Sequence, residues 1–194
     1  MKEDLENLLA AHDAAGSPLR SFLRPGLRRE QTAARIAGLG LAPLDELLEL
    51  YEWHDGIDQI AWETHVGRAD ALLVAPFTGF ESLDASISTY RQAMASLAML
   101  RGVEGYDRLA PEDQLWRAEW FPVFGLGGHY HVVNCGGVDP GRVVKVWLTP
   151  AARSPVYRDL PTLIQTIADR LREGDYYWDP ERQSLWLREG ALEA

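Results

Sequence analysis

Three apolar runs, WFPVFGL (120–126), HYHVVNC (129–135) and RVVKVWL (142–148), follow one another with only Gly-Gly and GGVDPG between them. Runs this short, rich in β-branched and aromatic residues and broken by turn chemistry, predict an antiparallel meander. Pro122 has no N–H to donate, so the first run belongs at a strand start or an edge. A fourth run, residues 72 to 76 of ALLVAPF, is a candidate buried strand.

The remainder is patterned for helices. Residues 2 to 15 carry acids in the first turn, apolar positions at Leu5, Leu8 and Leu9, and Gly16 and Pro18 as a stop. His12 on this helix reads as a partly exposed surface histidine. A short helix is expected around Gln31 to Leu39, and PLDELLELYEWHDG places Leu44, Leu47, Leu48 and Tyr51 on one stripe, with His54 at its end. Residues 57 to 80 read as irregular or strand structure. Ser82 caps a long helix on which Leu83, Ile87, Tyr90, Met94 and Leu97 recur at helical spacing. A Gly-rich acidic loop at 102 to 113 and a short helix carrying Trp116 and Trp120 lead into the first strand run. The closing helix, LPTLIQTIADRLREG, buries Leu160, Leu163, Ile164, Ile167 and Leu171, and DYYWDPERQSLWL adds a final hairpin or strand. Helices first, strands later, then a closing helix predict an α+β fold: one domain with a central, largely antiparallel sheet flanked by helices.

The segment GGHYHVVNC (127–135) offers the chain's only chemistry-bearing cluster. In an extended strand His129, His131 and Cys135 share a face. Zinc needs a fuller ligand set than this pair and a cysteine at a strand end, and no second C-x-x-C or H-x-x-x-H occurs. A thiolate nucleophile needs an activating base and an oxyanion pocket, and the surrounding residues match no cysteine-enzyme signature. GLGG at 125 to 128 lacks the following helix that would present amides to a phosphate. The expectation is an ordinary strand with an inert cysteine, no metal, no cofactor and no enzymatic activity.

With 194 residues, 46% of them hydrophobic, the chain can build one sizeable core. Its net charge of −10 disfavours a nucleic-acid binder and leaves basic partners open. No apolar run approaches a membrane span, and no secretory leader is legible, so the expectation is a cytoplasmic protein. From Pro43 to Val66 stand seven carboxylates (Asp45, Glu46, Glu49, Glu52, Asp55, Asp58 and Glu63) without a lysine or arginine, while five arginines from Arg20 to Arg35 form a basic patch that can balance them. Asp55, Asp58, Trp62 and Glu63 together offer acids and an aromatic anchor for a partner. Asp175, Tyr177 and Asp179, beside Tyr176 and Trp178, are the second candidate surface.

The order of these pieces resembles the SUKH superfamily, which includes fungal Smi/Knr-type cell-wall regulators and many bacterial immunity proteins. The resemblance covers about Gln31 to Pro180. It is carried by IAGLGLAPLDELLELYEWHDG, by SLDASISTYR and by W-x-x-x-W-F-P-V (Trp116, Trp120, Phe121, Pro122, Val123). A Gly-flanked strand pair, a Gly-Arg-Val-Val strand and a helix ending at Gly174 with aromatics and Asp179 after it complete the series. The resemblance implies residues 1–30 as an N-terminal helical extension and residues 31–194 as the SUKH-like domain. It further implies a cytoplasmic, non-enzymatic binding module, with an immunity protein against a basic toxin domain as the first expectation. A regulatory or scaffold domain in cell-envelope or signalling assemblies is the alternative, and a metal- or thiol-dependent enzyme the more distant one. The sequence leaves the oligomeric state open.

Overall fold

The computed structural model describes residues 1–66, 72–100, 116–148 and 151–191, with the backbone alone for 151–156. Its sheet follows from the turns between the apolar runs. Strands β4 (Trp120–Leu126), β5 (His129–Asn134), β6 (Val143–Leu148) and β7 (Ala151–Tyr157) pair antiparallel in chain order, and the two-residue β3 (Gly79–Phe80) joins β4 at the other edge. Phe121 lies opposite Val133 and Val132 opposite Val144. The fold is α+β in a single domain.

Pro122 keeps to the limit set by its missing donor. Cys135 N donates to Glu119 O at 2.7 Å. Pair-by-pair alternation from there turns the Pro122 nitrogen away from β5, toward a stretch that β3 does not cover. A register shift between Pro122 and Phe124 then re-aims the rest of β4.

Among the described residues six α-helices accompany the sheet: α1 (Lys2–Ala14), α2 (Arg29–Ala37), α3 (Asp45–Trp53), α4 (Gln59–Val66), α5 (Leu83–Leu100) and α6 (Leu160–Glu173). The apolar stripe of α6 is buried as its spacing predicts. Asp159 caps it by accepting from Thr162 N at 2.8 Å, and Gly174 closes it in the left-handed conformation. Helix α1 packs on α6, and Leu5, Leu8 and Leu9 enter the same core as Phe121, Phe124 and Val133. A smaller cluster of Trp116, Trp120, Val132 and Val146 covers the other face of the sheet.

Several expectations are corrected. Residues 72–76 are buried but form no strand beyond a bridge from Ala75 to Thr78, and the edge position is taken by Gly79–Phe80. Within the segment read as irregular, Gln59–Val66 is helical, started by Asp58, whose carboxylate accepts from Ala61 N at 3.0 Å. The pattern concealed it because Trp62 alone is buried on that helix. Helix α3 ends at Trp53, and His54–Ile57 becomes the extended β2, paired with β1 (Leu23–Pro25). Strand β7 was not anticipated, since Pro155 interrupts its sequence. Trp116 precedes β4 in non-helical structure, its ring edge-on to Trp120 at 6.4 Å between centroids. The expected hairpin in the tail is present as β8 (Tyr176–Asp179) and β9 (Ser184–Leu187). The acidic loop expected at 102 to 113 lies outside the described residues.

His12 is fully buried rather than partly exposed. Its Nε2–H donates to Val74 O at 3.0 Å, so its Nδ1 accepts from the Ser17 hydroxyl at 3.1 Å. Burial lowers its pKa to about 4.

Candidate functional site

A cleft of about 1040 Å³ lies between the start of α4, the Ala75–Thr78 turn, β3 and β9. Its apolar lining reaches the surface. Ile60 is 79% exposed, Phe77 44%, Leu126 42% and Trp186 38%, and all four line this cleft. Isolated exposed apolar residues are ordinary, but several converging on one cleft mark a contact surface.

Phe77 is presented at a conformational cost. Thr78 N donates to Ala75 O at 3.0 Å across Pro76 and Phe77, and Phe77 has φ +70°. Pro76 at the second position and a positive φ at the third make this a type II turn, whose third position favours glycine. An aromatic side chain there is strained by roughly 1 to 2 kcal/mol. Its ring stacks on His129 at 5.7 Å.

Among the described residues the cleft is acidic on balance: Asp58, Glu63 and Glu81 line it with one cation, Arg24. Arg24 itself lies 3.8 Å from Asp55. Burial raises the Glu81 carboxyl above the ordinary range, while the Ser86 and Thr89 hydroxyls donate to it at 3.4 Å each. Ser86 is in turn hydrogen-bonded to the Tyr51 hydroxyl at 2.8 Å. Gly125 leaves the space for this carboxylate. A Cβ there would stand 2.8 Å from Glu81 Oε1 and 2.5 Å from the Tyr130 ring.

Of the residues singled out in the sequence, Asp58 and Glu63 line the cleft. Trp62 does not serve as a surface anchor. It is 1% exposed and packs edge-on against Phe22 and Trp178. Asp55 is buried and structural: its carboxylate accepts from Leu83 N at 2.7 Å at the start of α5. Beside it Gly56, at φ +74°, sits so close that a Cβ would come within 2.4 Å of Ser82 N. Asp175 pairs with Arg170, Asp179 accepts from Glu181 N and Arg182 N, and Tyr177 is exposed; none of the three lines the cleft.

Four of the seven carboxylates that stand without cations in the sequence, Asp45, Glu49, Glu52 and Asp55, acquire them in the fold. Arg29 pairs with Asp45 and lies 3.8 Å from Glu52, while the N-terminal amine lies 3.8 Å from Glu49. Glu46 accepts from Leu160 N at 3.2 Å. Asp58 and Glu63 have no such ion pair among the described residues, and they are the two that reach the cleft. Glu81, Phe77, Ile60, Leu126 and Trp186 were missed. Pro76 before an aromatic was the only local sign, and the rest converge through tertiary structure.

The H-x-H strand lies apart from the cleft floor. His131 is buried against Phe124 and Tyr157, and Cys135 is buried, its thiol pushed up to about 12 by desolvation. Among the described residues no three His, Cys, Asp or Glu side chains converge as metal ligands. Among them, too, no helix is long and apolar enough to cross a membrane. The chain matches no protein-family model and no curated protein at a significant level.

Proposed function

We propose that this chain is a non-enzymatic protein-binding module, an immunity protein that neutralises a cognate basic toxin domain by direct binding. The observation that carries the reading is the convergence of four exposed large apolar side chains on one acid-lined cleft. Apolar anchors supply most of the energy of such contacts, and like-signed rim charges raise the encounter rate with a partner of opposite sign. The net charge of −10 and the residue order shared with the SUKH superfamily support the same reading.

The test is to express the product of the adjacent reading frame with and without this chain. Rescue of growth together with a stoichiometric complex that weakens as salt rises is the expected result. Toxicity unaffected by the chain, with no complex at micromolar concentration, would refute the proposal.

A further inference from the structure

We infer that the outer edge of β9 is a strand-addition site, which takes an extended segment of a protein partner in which apolar side chains alternate with lysine or arginine. The inference rests on the protein-binding reading and names how the partner is held. Hairpin β8–β9 is a separate two-stranded sheet, so β9 has one edge that no strand covers among the described residues. Every residue of β9 lines the cleft and none of β8 does, so the cleft runs along that edge rather than across the hairpin's face.

The hydrogen-bonding phase places backbone groups there. Arg188 N donates to Asp175 O at 2.8 Å, which makes Asp175 and Arg188 a bonded pair. With the unbroken register Tyr176↔Leu187 and Tyr177↔Trp186, the bonded pairs recur every second residue. Leu185 and Leu187 therefore turn their N–H and C=O groups outward, into the cleft. Among the described residues none of these four groups meets a backbone or side-chain partner. An uncovered strand edge presents such groups as a template for pairing, and an extended peptide pairs them two residues apart.

Charge selects the occupant. Asp58, Glu63 and Glu81 outnumber Arg24, which Asp55 already offsets. An added strand sends alternate side chains to opposite sides, so one set can be apolar, to match the exposed apolar lining, while the other is cationic, to match the carboxylates. A second copy of this chain is a poor occupant, since it brings a further net charge of −10.

The test uses the full chain, ¹⁵N-labelled, and four acetylated and amidated heptapeptides. One alternates lysine with valine, one alternates glutamate with valine, and two are the lysine peptide N-methylated at alternate amides, one in each register. The lysine peptide should bind about ten-fold or more tighter than the glutamate peptide, lose that affinity in high salt, and lose about ten-fold on N-methylation in one of the two registers. The amides of Leu185 and Leu187 should shift and gain protection from exchange. Equal binding of the lysine and glutamate peptides, no binding by either, or binding that leaves those two amides unchanged would each overturn the inference. So would concentration-dependent shifts of the same amides without peptide, which would assign the edge to self-association. Toxin neutralisation with unchanged Leu185 and Leu187 amides sinks the docking mode alone. Peptide docking on β9 without toxin neutralisation sinks the immunity reading alone.

Discussion

Acid should destabilise this protein through one side chain, His12. The imidazole is enclosed between Ser17 and the Val74 carbonyl, and it is neutral because burial penalises its charged form more than the Val74 hydrogen bond favours it. Burial lowers its pKa to about 4 from an ordinary 6.5. A folded value below the unfolded one means that the unfolded chain takes up the proton first as pH falls. The stabilisation is complete above about 6.5, declines below it, and is gone once the folded state also protonates near 4. The two values imply a loss of about 2.5 kcal/mol between pH 7.5 and 4.5, a large part of the roughly 5 to 15 kcal/mol of a typical domain.

Carboxylates titrate in the same window, so wild type alone cannot isolate the effect. The comparison is His12→Gln, whose amide can donate to Val74 and accept from Ser17 at every pH. At pH 7.5 the variant should be less stable by roughly 1 to 2 kcal/mol through imperfect packing. At pH 4.5 the gap should close or reverse by about 2.5 kcal/mol, read from urea unfolding midpoints. A gap that stays constant to within about 0.5 kcal/mol would show that His12 titrates alike in both states, and the burial argument would fail.

Three further outcomes are expected. Phe77→Gly relieves a left-handed aromatic and loses its stacking on His129, so stability by chemical denaturation should stay within about 1 kcal/mol of wild type while binding of the basic partner weakens; a large loss of stability would show that the turn needs the ring. Asp55→Ala removes the acceptor for Leu83 N and should cost about 1 to 2 kcal/mol, whereas Asp58→Ala, at an exposed cap, should cost less. The Cys135 thiol should resist an aromatic disulfide reagent at pH 8 in the native state and react at once in denaturant; rapid native labelling would contradict its burial.

Elements governed by local chemistry were legible in the sequence. The turns at Gly127–Gly128 and around Asp139–Gly141, the stripe of α6 and its Gly174 terminus each depend on residues within a few positions of one another. What escaped reading depends on partners far along the chain. His12 looked like a surface residue because nothing in its helix predicts that Val74 will cover it. Asp45, Glu52 and Asp55 looked uncompensated because Arg24 and Arg29, at least sixteen positions away along the chain, reach them only once it folds. The His-Asp-Gly segment shows the same division. Read as a helix end with an acidic surface, it is instead a seam, where Asp55 holds the first amide of α5 and Gly56 lets the chain approach Ser82 more closely than any side chain allows. That seam fixes where α5 begins and, through Glu81 just before it, where a carboxylate enters the cleft. The His-Asp-Gly segment thus positions the cleft without lining it, and Phe77, Leu126 and Trp186, which do line it, share no local sequence pattern.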